Sequence, residues 1–297
     1  MAELNKAKAF RIIECETGEE FIESIRPDNK KLWVSNLNNR WGFRGQPDCN
    51  YRLIPKAFRS NIKLPTGPFY ITPPEEPSKQ GAAETNTIRK FVEYALKNGL
   101  EIPDETYDFI FPNYQHPKIP YEDWPQPEYL NILALAQHHG IPTRLLDFTN
   151  NPLIAAFFAF DQVPNDRIFD KESRVSVWGI DFNAVFRMWS QYDSGSRIKK
   201  IVTPAAGNTF LHRQEGFFLL DDEANSYYNP EIGYPSFDSI ILDKADEKGI
   251  DEPVIIRVDV AYTEKVKVID TLKQYNIIKP GLMPTYSDIA DYIMEMI

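Results

Sequence analysis

The sequence predicts an α+β fold, with a mixed, largely antiparallel sheet at its core and helices packed around it. Segments with the alternation of a half-buried strand and segments with helical spacing are mixed along the chain. These segments do not follow the regular strand–helix–strand rhythm of a doubly wound sheet. Neither of the two proline-rich stretches looks like a flexible domain linker, because both carry many aromatic residues, so a single domain over residues 1–297 is expected.

The first predicted elements are a strand, a helix and a second strand. Phe10–Glu14 alternates as a strand does, and Thr17 then begins a helix as its N-cap. Glu20 occupies the position from which a capping-box carboxylate reaches back. Trp41–Arg44 alternates bulky with small or polar side chains, which predicts a half-buried strand.

Residues 61–127 are interpreted as a proline-rich insert that contains one helix. Leu64–Ser78 has no regular period and is predicted to be a surface excursion. Glu84–Lys97 regains helical spacing, and Asn98-Gly99 ends that helix. Ile102–Pro127 is predicted to be a long ordered loop around three buried aromatic side chains, Phe109, Phe111 and Trp124.

Two apolar helices follow, joined by a short segment. Glu128–His139 has helical spacing and stops at Gly140. The second helix begins with Asn151 as N-cap and Pro152 at its first position, and it is apolar on all sides, which predicts that it is buried. Gln137–Thr149 is predicted to be the loop between them. Beyond these helices the sequence predicts strands at Arg174–Ile180, Gly216–Leu220, Ser239–Leu242 and Val254–Val258, and a final helix over Tyr286–Met296.

The composition excludes several classes of protein. Hydrophobic residues make up 42% and charged residues 26%, as in an ordinary globular protein. The net charge of −10 excludes an extended nucleic-acid surface but permits a local basic pocket. No apolar run reaches the roughly 18 residues that span a bilayer, and no apolar signal core follows Met1, so no membrane contact and a cytoplasmic location are predicted.

The segment Gln137–Asp147 is the first part of the candidate site, because it places polar groups between two buried helices. Its candidate residues are Gln137, His138, Thr143, Arg144 and Asp147. Buried polar groups are costly unless they are paired, so two explanations stay open. Either Arg144 and Asp147 form an internal clamp while His138 caps the helix end, or the segment lines a pocket for an anion. Adjacent histidines at a helix end point in different directions, so no metal site is predicted.

Arg44 is the second part of the candidate site. It points to the face of its strand opposite Phe43, and Gly45 lets another chain or a ligand approach closely. Arg44 is predicted to form one wall of an anion pocket, with the Gln137–Asp147 segment as the other. The predicted ligand contacts beside these residues are Phe43, Gly45, Gln46, Thr143 and Thr149.

These two parts together resemble the FRG domain family. Phe43-Arg44-Gly45 matches the signature that names the family, and the run from Gln137 through Arg144-Leu145-Leu146-Asp147 to Pro152 matches its longer block. Tyr51-x-Leu53-x-Pro55 with Arg59, and Gln214-x-Gly216-x-Phe218, resemble further blocks. The resemblance runs from about Trp33 to the C-terminus, interrupted by the proline-rich insert, and implies a single FRG-like domain.

The sequence also resembles the skeleton of ADP-ribosyltransferases, through an aromatic-Arg-Gly on an early strand and a Gln-Glu pair before a late one. That resemblance implies NAD as a cofactor, with Arg44 holding its phosphates and Gln214 or Glu215 contacting ribose hydroxyls. Such contacts stabilise an oxocarbenium-like transition state.

Three hypotheses of function follow. An enzyme would bring Arg44, Gln137, His138, Arg144 and Asp147 around a phosphate-bearing ligand, such as a nucleotide cofactor. A binding module would use the same residues without turnover, for example as a sensor or effector component in bacterial defence. A structural role would pair Arg144 with Asp147 away from any cavity. A Glu215 carboxylate inside the pocket would favour catalysis, and one turned to solvent would favour binding or a structural role.

Overall fold

A computed structural model describes residues 8–33, 40–65, 69–73, 75–103, 124–163, 172–189, 196–202 and 213–294. The strands are β1 Phe10–Cys15, β2 Trp41–Gln46, β3 Leu64–Pro65, β4 Tyr70–Ile71, β5 Leu146–Thr149, β6 Arg174–Asp181, β7 Ile198–Ile201, β8 Gly216–Asp221 and β9 Ile255–Ala261. Seven of them form one sheet in the order β1-β9-β6-β2-β5-β8-β7. The β1–β9 pair is parallel and the other neighbours are antiparallel, whereas β3 and β4 form a separate small hairpin.

The helices pack on both faces of the main sheet. They are α1 Gly18–Ile25, α2 Pro77–Lys97, α3 Leu130–His138, α4 Pro152–Asp161, α5 Phe182–Trp189, α6 Phe237–Glu247, α7 Lys265–Gln274, α8 Lys279–Leu282 and α9 Tyr286–Met294. The predicted α+β class with a mixed, largely antiparallel sheet is therefore confirmed; its ADP-ribosyltransferase-like part stays a prediction. In the described part of the chain, no helix is long and apolar enough to cross a membrane.

The predicted helix starts follow their capping residues. The Thr17 side chain accepts a hydrogen bond from the backbone N–H of Glu20 at 3.2 Å, and the Glu20 carboxylate accepts one from the N–H of Glu16 at 2.9 Å. Asn151 caps α4 through the N–H of Leu153 at 3.0 Å, with Pro152 as the first helical residue. These caps satisfy donors that an open helix end leaves without an acceptor.

Two predicted elements were wrong in kind. Ser239–Leu242 belongs to helix α6, because Ser236 caps that helix and Ile241 and Ala245 repeat with helical spacing. A short apolar run does not by itself distinguish a buried helix from a strand. Leu146–Thr149, predicted as the end of a loop, is strand β5, which pairs with β8 over four residues.

The proline-rich insert is more regular than predicted. Helix α2 begins at Pro77, seven residues before the predicted start at Glu84, and the hairpin of β3 and β4 precedes it. The predicted buried Phe109 and Phe111 lie outside the described residues, and Trp124 is buried as predicted.

Strand β2 lies at the centre of the main sheet, between β6 and β5. One face of the sheet packs against α1, α4 and α7, and the other against α5 and α6. Helix α4 lies directly over β2: a Cβ at Gly45 would overlap the carbonyl oxygen of Ala155 and lie 2.6 Å from the nitrogen of Ala159. The sequence predicted that Gly45 lets another chain or a ligand approach closely, and in the structure it is helix α4 that does so.

Candidate functional site

The site begins where β2 and β5 separate. Only one residue pair joins these strands, Phe43 with Thr149, whereas β2 and β6 pair over six residues. Beyond that pair the Arg44 guanidinium bridges the strands. Its Nη1 donates to the backbone oxygen of Asp147 at 2.8 Å, and the Asp147 carboxylate lies 3.5 Å from the same nitrogen.

Arg44 is a buried cation with few acceptors. Its side chain is 8% exposed, whereas that of Asp147 is 59% exposed. The Arg44 Nε has no hydrogen-bond partner among the described residues. Burial lowers the pKa of the Arg44 guanidinium, and the charge and hydrogen bond of Asp147 act in the opposite direction. Because an arginine stays protonated in proteins, this site holds a positive charge with spare donors.

A small pocket adjoins Arg44. Its walls include Phe43, Arg44, Gly45, Asp147, Thr149 and Gln214, and its volume is about 40 Å³; we call it the Arg44 pocket. A site for a whole drug-sized ligand occupies roughly 300–1,000 Å³. The Arg44 pocket therefore has room for one small polar group and not for a complete nucleotide.

Gln214 and Glu215 occupy different places. Gln214 lines the Arg44 pocket, and its backbone oxygen accepts a hydrogen bond from the Thr149 hydroxyl at 2.7 Å. Glu215 is exposed, with a positive φ of 48°, and its carboxylate accepts a hydrogen bond from Asn151 at 3.3 Å. The neighbouring residues therefore separate: Gln214 lines the pocket while its amide donates to the backbone oxygen of Leu282 at 3.4 Å, and the Glu215 carboxylate is not part of the pocket lining.

Arg144 lies in a different environment from Arg44. It is 1% exposed and forms a two-point ion pair with Glu84 of helix α2, with distances of 2.9 and 3.0 Å. Its Nη1 also donates to the backbone oxygen of Trp124 at 2.7 Å and to Asn225 at 3.1 Å. The clamp predicted for Arg144 exists, but its partner is Glu84 rather than Asp147.

The rest of the Gln137–Asp147 segment mainly supports the backbone. The Thr143 hydroxyl donates to the Gln137 side-chain oxygen and accepts from the N–H of Leu145 at 3.2 Å. His138 is half-buried; burial lowers its pKa most, the neighbouring His139 lowers it further, and Asp147 raises it. Phe43 is fully buried against Trp33, with ring centroids 5.0 Å apart.

Comparison with known families identifies the domain that holds most of these residues. The sequence model of the FRG domain matches residues 39–167. The chain contains an FRG domain over these residues. The matched range of the FRG domain holds Arg44 and the whole Gln137–Asp147 segment, while Gln214 lies beyond it. Searches of the curated proteins and of the solved structures found no match.

Two residues of the FRG domain outside the predicted site take part in the charge interactions of Arg144 and Arg44. Glu84 neutralises Arg144, and its position on the buried face of a predicted helix was the available signal. The sequence indicated Arg59 only as part of a family block, although the charges of Arg44 and Asp147 act on it. Burial lowers the pKa of Arg59, Arg44 lowers it further and Asp147 raises it.

Within the described residues, no three His, Cys, Asp or Glu side chains gather as metal ligands.

Proposed function

We propose that this FRG domain binds the anionic group of a small molecule, such as a phosphate, at Arg44. The observation that carries the proposal is that Arg44, a residue lining a pocket, has a side chain buried to more than nine tenths and an Nε without a partner among the described residues. A buried charge normally acquires several acceptors, because desolvation is costly without them. Arg44 finds a backbone oxygen and one largely exposed carboxylate within the protein, so an anionic ligand would supply the acceptors that it lacks.

The size of the pocket sets what enters it. A volume of about 40 Å³ accepts a phosphoryl or carboxylate group and leaves the rest of the ligand outside. The Asp147 carboxylate lies 3.5 Å from the Arg44 Nη1, where the ligand anion is proposed to bind. Its side chain is exposed and can turn towards solvent when that anion arrives.

The position of Glu215 supports binding without turnover. Glu215 is exposed and contacts Asn151, so it does not line the Arg44 pocket. A module that recognises a phosphate-bearing small molecule, as a sensor or effector component of bacterial defence would, is compatible with this arrangement.

An NAD-using enzyme, of the ADP-ribosyltransferase or NAD-glycohydrolase kind, is the second candidate. The observation that favours it is that Arg44 and Gln214 line the same pocket, as a phosphate anchor and a ribose contact would. Asp147 is the carboxylate beside Arg44 that such a reaction would use. Release of nicotinamide from NAD, followed by chromatography, tests this candidate; an intact NAD pool after prolonged incubation contradicts it.

Calorimetric titration at constant ionic strength tests the binding proposal. The probes are inorganic phosphate, AMP, ADP-ribose and NAD, each taken to about 10 mM, so that affinities down to the millimolar range are detected. Replacing Arg44 by Gln removes a charged donor, which should weaken binding about tenfold or more. The control is Arg11→Gln, the same charge change at an exposed position on β1, three strands away from β2.

A second variant keeps the experiment decisive if Arg44→Gln folds poorly. Asp147→Asn removes the competing carboxylate at an exposed position and should bind the anion as tightly as the wild type or more tightly. Either of two results overturns the proposal: no heat with any of the four probes, or unchanged affinity in a folded Arg44→Gln protein.

A further inference from the structure

The described residues also form a larger cleft. It has a volume of about 460 Å³, and its lining includes Tyr51, Ile54, Phe58, Arg59, Asn61 and Tyr234; we call it the Tyr51 cleft. This volume falls in the range typical of small-molecule sites. The rings of Phe58 and Tyr234 stack with centroids 4.1 Å apart, and the Tyr234 hydroxyl donates to the backbone oxygen of Glu75 at 3.0 Å, so this wall is held in place.

Strand β2 connects the Tyr51 cleft to Arg44. Gln46 lies two residues after Arg44, so both side chains project from the same face of β2. The Gln46 amide donates to the backbone oxygen of Arg52, a residue of the cleft lining, at 3.2 Å. Gln46, a predicted ligand contact, is 2% exposed and supports the cleft wall through this hydrogen bond.

Arg59 is the cation of the cleft that keeps free donors. Its Nε donates to the backbone oxygen of Ile54 at 3.1 Å, and its two terminal amino groups have no partner among the residues that the structure describes. Arg52, the other arginine of the lining, is paired with Asp238. Burial lowers the pKa of Arg59 most, the charge of Arg44 lowers it further, and the charge of Asp147 raises it.

We propose that Arg59 is the second cationic residue of the site, and that the ligand is a phosphate monoester with a ring-containing organic part. Its phosphoryl group lies between Arg44 and Arg59, and its organic part fills the Tyr51 cleft. Two guanidinium groups suit a dianion better than a carboxylate or a phosphodiester, which carries a single negative charge. The aromatic and amide side chains of the cleft suit a nucleoside, whose flat base stacks on rings and whose hydroxyls accept and donate hydrogen bonds.

This inference rests on anion binding at Arg44, and the test separates the two. Inorganic phosphate, ribose 5-phosphate and AMP are titrated at constant ionic strength into the wild type, Arg44→Gln, Arg59→Gln and Arg11→Gln, with circular dichroism checking each fold. We expect AMP to bind about tenfold tighter than phosphate, and Arg59→Gln to weaken all three probes about tenfold while Arg11→Gln leaves them unchanged.

Tyr51→Ala supplies the test of the organic part. Tyr51 is 49% exposed, so its removal leaves the core intact. Its replacement should reduce the preference for AMP over phosphate without changing the affinity for phosphate. The inference is overturned if a folded Arg59→Gln protein binds phosphate as the wild type does while Arg44→Gln does not, in which case the Arg44 proposal survives alone. It is also overturned if AMP binds no more tightly than phosphate; no binding by the wild type overturns both proposals.

Discussion

Arg44 and Arg144 are both buried guanidinium groups, and they differ in the acceptors that surround them. Arg144 meets the two carboxylate oxygens of Glu84, the backbone oxygen of Trp124 and the side-chain oxygen of Asn225. Arg44 meets one backbone oxygen and a carboxylate at 3.5 Å. Among the described residues, the protein thus satisfies one arginine from its own chain and leaves the other with unused donors, which is why we propose a structural role for Arg144 and anion binding for Arg44.

Replacing Arg144 by Met should destabilise the protein strongly. The change leaves the Glu84 carboxylate buried beside Trp124 without its cation, and loss of one partner of a buried pair costs about 3–5 kcal/mol. Urea unfolding measures the free energy. The double variant Arg144→Met with Glu84→Gln should recover a large part of the loss; equal stability of the single variant and the wild type would contradict the clamp.

His138 should make the free energy of unfolding depend on pH. Its pKa in the folded protein is lowered, mainly by burial, so below the ordinary histidine pKa of about 6.5 the unfolded chain binds a proton that the folded chain does not. This contribution is therefore complete above about pH 6.5 and is lost as the pH falls towards the lowered folded pKa. Denaturation at several pH values should show the wild type losing stability relative to His138→Gln on acidification; a constant difference between them would contradict it.

At the scale of elements, the close packing of helix α4 on strand β2 decides the shape of the site. Gly45 lets the backbone of α4 reach the strand, and the same helix supplies Ala155 and Phe158 to the Arg44 pocket. On the other side β5 pairs with β2 through one residue pair, so the strands open where Arg44 enters. A pocket forms here because a helix covers one side of the gap and an arginine side chain fills the other.

Replacing Gly45 by Ala should destabilise the protein by about 1–3 kcal/mol or more, since the added methyl group meets the backbone of α4 and not a flexible side chain. The matched control is Gly281→Ala in helix α8, where the nearest atom is 3.6 Å from the added Cβ. Thermal and urea unfolding of both variants checks the prediction. If Gly45→Ala is as stable as Gly281→Ala, the backbone of α4 does not pack directly on β2 at Gly45 and the prediction is wrong.

At the scale of the whole molecule, the sheet gathers distant parts of the chain into one site. Arg44 comes from β2, Asp147 from β5 and Gln214 from the residues just before β8, and β2, β5 and β8 are neighbours in the sheet. The net charge of the chain is −10, so most of its surface repels an anion. The proposed site at Arg44 and Arg59 is a local positive region that attracts one.

Binding at this site should stabilise the folded protein as a whole. A ligand at tenfold above its Kd adds about 1.4 kcal/mol by mass action. For a chain of this size that corresponds to a rise of roughly 2–4 °C in Tm. A thermal melt with AMP at matched ionic strength should show this rise in the wild type and in Arg11→Gln but not in Arg44→Gln. An equal rise in all three proteins would indicate a general salt effect rather than a site.

The sequence by itself determined the parts of this protein whose signals are local. Thr17 and Asn151 indicated helix starts, because their side chains cap neighbouring N–H groups. The polar run after His138 was recognisable because it lies between two apolar helices. The predictions for two short runs were wrong, because the local signals there are ambiguous. Leu146–Thr149 is a strand that pairs with β8, and Ser239–Leu242 is part of a helix.

Only the tertiary structure decided which polar residues meet. Arg144 and Asp147 are three positions apart in the chain, yet one pairs with Glu84 on a distant helix and the other with Arg44 on a neighbouring strand. Spacing along the chain cannot reveal these partners, because helix packing and strand order set the distances between side chains that are 60 and 103 residues apart. The same packing leaves Arg44 short of acceptors, and that shortage is the physical basis of the proposed site.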